Sequence, residues 1–141
     1  MAPAPAFLET EYVTLQYLPD KQCLYHVAQT YPNDQQFKNA LNAGAAALEK
    51  YKINKWVSDD RKLGPMSPDL LQWGATEFNP RAIAAGWRFW ANVVPEQVAT
   101  ATDTFAIMET LFEFGLRMMV FTNTQEAFEW IDKVDVPHVS V

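Results

Sequence analysis

A short apolar run in this chain, Ile53-Asn54-Lys55-Trp56-Val57, leads straight into Ser58, Asp59, Asp60, Arg61 and Lys62. Two carboxylates can act together as general acid and base, or can hold a divalent cation with the help of water. Adjacent residues at a strand end point to opposite sides, so Asp59 and Asp60 do not form a dyad. The simpler expectation is that one carboxylate caps the loop while the other pairs with Arg61 or Lys62. A magnesium pocket would want a third acid and a distant lysine, and the sequence places neither.

Ser58 and Ser67 are the candidate nucleophiles. His26 falls on a hairpin and His138 in the tail, so neither serine has a histidine at triad spacing, and nucleophilic catalysis is not expected. The two histidines also lack zinc-ligand spacing. Cys23 is the one cysteine, which excludes an internal disulfide and a thiolate cage. It reads as a small strand hydrophobe, and His26 as a half-buried strand residue. Gly-rich phosphate loops are absent. No catalytic residue, metal or cofactor is expected.

The elements that must position these residues follow from periodicity. Tyr12 to Tyr17 and Cys23 to Ala28 are runs of large or β-branched residues separated by Leu18-Pro19-Asp20-Lys21-Gln22, which predicts a β-hairpin. Asn33 or Asp34 opens a helix to Tyr51, with Phe37, Leu41, Gly44 or Ala45, and Leu48 on one face. Alanines and Gly44 thin its middle and allow close approach to a sheet. The run into Ser58 is a central strand, and its loop lies where open α/β sheets usually bind ligands.

Ser67-Pro68-Asp69 combines a hydroxyl cap, a proline at the first helical position and an acid in the first turn. Pro80 removes a backbone bond from that second helix and predicts a kink or break near Asn79, with Gly86 as the stop. Residues 87–94 form the next strand, in which Trp87 and Phe89 would share one face and Arg88 and Trp90 the other. Thr102 or Asp103 caps a third helix with two apolar stripes, Phe105-Met108-Phe112 and Ile107-Leu111-Phe114, so this helix is either deeply buried or partly an interface. Residues 116–121 make the last strand, and Thr124 caps a final helix.

The expected architecture is a single two-layer α/β domain of order ββαβαβαβα, with a mixed sheet of four or five strands and flanking helices. Residues 1–6 are expected as a flexible arm, 7–133 as the domain and 134–141 as a tail. The length of 141 residues suffices for one packed core, and 49% hydrophobic residues argue against disorder. A net charge of −6 disfavours nucleic acid and anionic lipid. With no signal-like start and no apolar run of spanning length, no membrane span and a cytoplasmic location are expected.

Three segments carry a resemblance: residues 56–61, an apolar strand running into Asp/Arg; residues 73–86, a kinked helix ending in a small-residue Gly stop; and residues 121–131, a terminal turn and helix. Together they resemble the STAS/Sec14-like superfamily, which includes SpoIIAA-like, anti-sigma-factor-antagonist-like domains, and in particular its small stand-alone bacterial members of unassigned function. The resemblance spans about residues 8 to 132. In the antagonist proteins a serine at the start of the second helix is phosphorylated, which blocks partner binding, and Ser67 stands at the comparable place. Residues 65–69 lack the Asp-Ser-Ser/Thr-Gly run of those proteins, and Asp69 would repel an added phosphate.

The resemblance implies a non-catalytic regulatory or protein-interaction module, with Asp59, Asp60, Arg61, Ser67 and Asp69 as its interaction loop. The alternative is a binding protein for a small, lipid-like apolar ligand, as the Sec14-like kinship and five tryptophans suggest. Trp73, Phe78 and Trp90 would then line a pocket, or otherwise a dimer patch. The expected partner is a protein or a second copy of the chain.

Overall fold

The computed structural model describes residues 6–30, 33–64 and 66–135. Six strands form one sheet in the order β1-β2-β3-β4-β5-β6: β1 (Ala6–Glu9), β2 (Val13–Leu18), β3 (Cys23–Ala28), β4 (Lys55–Asp59), β5 (Phe89–Val93) and β6 (Arg117–Phe121). The first three pair antiparallel and the last four parallel. The strand count is therefore six rather than four or five. The addition is β1, which pairs with β2 and is too short to show a period of its own. Ala6, assigned to the arm, opens this strand; residues 1–5, 136–141 (His138 included), Tyr31, Pro32 and Pro65 lie outside the described residues.

From β3 to β6 the sheet grows always in the same direction. Right-handed crossovers then put every connecting helix on one face. These helices are α1 (Asp34–Tyr51), α2 (Pro68–Trp73), α3 (Asn79–Ala84), α4 (Glu96–Ala99) and α5 (Thr102–Glu113). Ala45 and Leu48 of α1, Ala82 of α3 and Leu111 of α5 share one buried cluster with the sheet residues Leu24, Trp56 and Met118. Helix α6 (Thr124–Lys133) crosses to the opposite face, where Ala127 and Ile131 pack on Cys23, Val57, Ala91 and Val93. Because the strand order never reverses among the parallel strands, there is no switch point at which two helices diverge to open a crevice. The expected ligand position beyond β4 rests on a topology this sheet does not have.

Local chemistry explains the helix starts. Asn33 accepts from Gln36 N–H while the Gln36 side chain reaches back to the Asn33 amide, a capping box that begins α1. Gly44 faces the ring of Trp56, and a Cβ at that position would overlap the indole. Asn123, rather than Thr124, caps α6 by accepting from Glu126 N–H at 2.9 Å.

Pro80 does not break its helix. A π-helical stretch, Gly74–Phe78, joins α2 to α3, and Asn79 N–H donates five residues back to Gly74 O. The wider turn accommodates the missing donor and the proline ring within a continuous helix. Ala85 then closes α3, and Gly86, at φ 115°, turns the chain toward β5.

Trp87 lies before β5 and packs against Trp56, Phe78 and Trp90, whereas Phe89 meets Trp130 of α6 on the other face. The expectation that Trp87 and Phe89 share a face fails because the strand begins two residues later than its apolar run.

Candidate functional site

Strand register builds a site that local sequence does not show. On the face covered by α1 to α5 one row across the sheet is Tyr17, Leu24, Trp56, Trp90 and Met118, all aromatic or aliphatic. The next row, toward the C-terminal ends of the parallel strands, is Leu15, His26, Ser58, Asn92 and Val120. Three polar side chains thus stand side by side on three successive strands. Asp60, two residues past Ser58, adds a carboxylate to the same side.

The hydrogen bonds in this row run in one direction. Trp90 Nε1 donates to Ser58 Oγ at 2.7 Å, and Ser58 Oγ donates to Asn92 Oδ1 at 3.1 Å. Neither ring nitrogen of His26 takes part in these bonds. Ser58 therefore has no hydrogen bond to the imidazole that could activate it as a nucleophile, although His26 is its immediate neighbour across β3 and β4. The sequence reading that no histidine approaches Ser58 is corrected here. Parallel pairing joins residues whose separation in the chain says nothing about their distance.

His26 is 2% exposed, and neither ring nitrogen has a hydrogen-bond partner. Its Nε2 lies 3.8 Å from Asp60 Oδ1, itself buried without a partner. Phe37 of α1 covers the imidazole at a ring separation of 6.0 Å and belongs to a small buried cluster with Ala28, Leu63 and Leu70. Burial pushes the His26 pKa down to about 4, only partly opposed by the Asp59 charge. Burial likewise pushes Asp60 up to about 7, with Asp59 adding to the rise and the Ser58 hydroxyl opposing it. Both groups are driven toward their neutral forms.

Asp59 turns to the other side of the strand and is occupied by Arg61. The guanidinium grips both carboxylate oxygens, at 2.9 and 2.7 Å, and the Arg61 amide donates to Oδ1 at 3.3 Å. These bonds outweigh desolvation and hold the Asp59 carboxyl below its usual range. Asp59 and Asp60 thus separate as the strand geometry requires.

Ser67 caps α2. It accepts from Leu70 N–H at 3.1 Å and donates to Asp34 Oδ2 at 2.7 Å, so its hydroxyl is held between two helix starts. Asp69 is exposed in the first turn of α2. The interaction-loop residues accordingly divide: Asp59 and Ser67 are engaged within the fold, while Arg61 and Asp69 reach solvent.

Trp73, Phe78 and Trp90 sit in or against the main core. Phe78 stacks on Trp73 and meets Trp56 and Trp87 edge-on, and Trp90 packs beside Trp87. A groove of about 160 Å³ lies elsewhere, lined by Leu8, Tyr12, Val13, Gln36, Asn39 and Ala40. That is below the roughly 300 Å³ at which small-molecule pockets begin.

Cys23 is fully buried, its thiol donating to Leu24 O, and burial raises its pKa to about 12. It is an inert thiol. Among the described residues, no group of three or more His, Cys, Asp or Glu side chains is arranged to hold a metal ion, and no helix is long and apolar enough to cross a membrane.

Among the described residues, the most exposed apolar surface lies on α5. Only Thr104 and Leu111 of this helix are buried, while Phe105, Ile107, Phe112 and Phe114 are 55%, 47%, 70% and 66% exposed. The two apolar stripes legible in the sequence are thus present, and most of their area faces solvent.

No protein-family profile, no curated protein and no solved structure matches this chain.

Proposed function

We propose that this chain is a non-catalytic protein-interaction module whose contact face is α5. The observation that carries this reading is the outward display of Phe105, Ile107, Phe112 and Phe114 on a single twelve-residue helix and its cap. Apolar surface of this extent is uncommon on an isolated soluble domain and marks sites that another molecule covers. The STAS/Sec14-like resemblance of residues 56–61, 73–86 and 121–131 supports the same functional class.

The contact face moves from the loop after β4 to α5. Asp59 is neutralised by Arg61, and Ser67 is engaged in capping and with Asp34, so neither is offered outward. A phosphate on Ser67 would have to displace both hydrogen bonds and stand beside Asp34 and Asp69. The lack of a hydrogen bond between Ser58 and His26 supports the non-catalytic part of the reading. The groove beside β1 and β2, at about 160 Å³, is small for the lipid-carrier alternative.

A photo-crosslinking residue at position 112, with a matched one at exposed Glu77 as control, tests the assignment in the native cell. The protein captured at 112 is identified, purified and recombined with the full chain. A binary complex lost on Phe112→Ser supports the reading. A partner that crosslinks equally at 77, or that binds the Phe112→Ser variant undiminished, removes α5 as the contact face.

A further inference from the structure

We infer that α5 receives a basic amphipathic helix from its partner, an inference that rests on the reading of α5 as the contact face. Phe105 and Phe112 are seven residues apart, two helical turns, and so stand on one side of α5 with half-buried Met108 between them. Ile107 and Phe114 repeat that spacing on the opposite flank of the helix, roughly half a turn round at about 100° per residue, so the partner engages the Phe105–Phe112 stripe. Apolar anchors two turns apart are the pattern that a second helix engages when it packs lengthwise on the first. Helix α5 spans about 18 Å at 1.5 Å per residue, enough for three turns of such a partner.

At about 200 Å² per aromatic side chain, Phe105 and Phe112 hold about 250 Å² of apolar surface in solvent. That is about a third of the roughly 800 Å² per partner buried in an interface of standard size, leaving Met108 and the polar rim to supply the remainder.

Charge selects the partner. Every ionisable side chain between residues 102 and 115 is acidic: Asp103, Glu109 and Glu113, all exposed. Glu109 and Glu113 flank the Phe105–Phe112 stripe, and none of the three acids takes part in an ion pair among the described residues. A second copy of this chain would bring three like carboxylates against these three, with a net charge of −6 on each molecule. An anionic lipid surface is opposed for the same reason. A helix with Leu or Phe on one face and Lys or Arg beside it satisfies both the apolar stripe and the unpaired acids.

The test uses the isotope-labelled full chain and two synthetic peptides of about 18 residues, one with leucines on one face and lysines on the other, the second with glutamates replacing the lysines. The lysine peptide is expected to shift α5 amide resonances saturably, and the glutamate peptide to leave them unchanged. Glu109→Gln/Glu113→Gln should weaken the lysine peptide about tenfold, with a matching loss on raising salt, and Phe105→Ser/Phe112→Ser should abolish binding. All four positions are exposed, and circular dichroism verifies that the variants fold. Binding of the lysine peptide away from α5, no binding, or equal binding of both peptides overturns the inference. So does sedimentation showing α5 occupied by a second copy at micromolar concentration. If the partner captured at position 112 binds through α5 without regard to salt or to the glutamates, the contact-face reading survives and the basic-helix inference falls.

Discussion

Two regions of this molecule invert the usual distribution of side chains, in opposite senses. Beneath α1, His26 and Asp60 place titratable groups in the interior with ring nitrogens and a carboxylate oxygen left unpartnered. On α5, Phe105 and Phe112 place large apolar rings in water. The first departure is carried by the fold itself, because desolvating polar atoms without partners lowers stability whether or not anything binds. The second affects the folded chain little and is relieved only when another surface arrives. A buried polar group is therefore read through stability and pH, and an exposed apolar group through association.

The largest effect separating them should be the pH dependence of the His26–Asp60 pair. The Asp60 pKa is raised in the fold, so its contribution is fully present below the ordinary carboxylate range and is lost as pH rises through about 7. The His26 pKa is depressed, so its contribution is present above the ordinary imidazole range and is lost as pH falls through about 4. Between these limits the folded pair and the unfolded chain each carry one proton, and the two slopes cancel. Urea denaturation of the wild type should show stability nearly level from about pH 4.5 to 6.5.

His26→Leu should expose the Asp60 slope alone, a loss on the order of 4 kcal/mol between about pH 4 and 7.5. Asp60→Asn should expose the His26 slope, a loss on the order of 3 kcal/mol as pH falls from about 6.5 to 4. A wild-type curve that slopes steeply across this window would show that the two groups do not exchange one proton.

Ser58→Ala comes next. It leaves the Trp90 indole N–H and the Asn92 carbonyl oxygen without their shared hydroxyl, and should cost about 1–3 kcal/mol at neutral pH. A change below about 0.5 kcal/mol would mean that water already serves these groups. Ser67→Ala removes the α2 cap and should cost about 1 kcal/mol. Calorimetry that finds no change would free the hydroxyl for a role other than capping.

The smallest effect belongs to α5. Phe105→Ser/Phe112→Ser should change monomer stability by no more than about 0.5 kcal/mol per site, while association through α5 is lost. A drop of several kcal/mol would place these rings in the core and dissolve the contrast between the two regions.

Much of the scaffold is legible in local sequence. The hairpin of β2 and β3 follows from alternating runs around a proline-containing turn, and α1 begins at Asp34 because Asn33 and Gln36 form a box only there. The Ser67-Pro68-Asp69 start of α2 and the stripes of α5 could be read in the same way. Strand β1 and helix α4, four residues each, are shorter than the window in which a period declares itself. The π-helical stretch before Pro80 is invisible because a break and a widened turn satisfy the same missing N–H.

The sequence by itself determined where chain segments become helix or strand, because caps, turns and apolar spacing act between near neighbours. It also determined that α5 would be apolar around much of its circumference. Only the tertiary structure decided that this helix packs through Leu111 and leaves its phenylalanines outside. It alone brought His26 beside Ser58 and within 3.8 Å of Asp60. Those outcomes depend on strand register and on which helix covers which row of the sheet, and both are set by the packing of residues more than thirty positions apart.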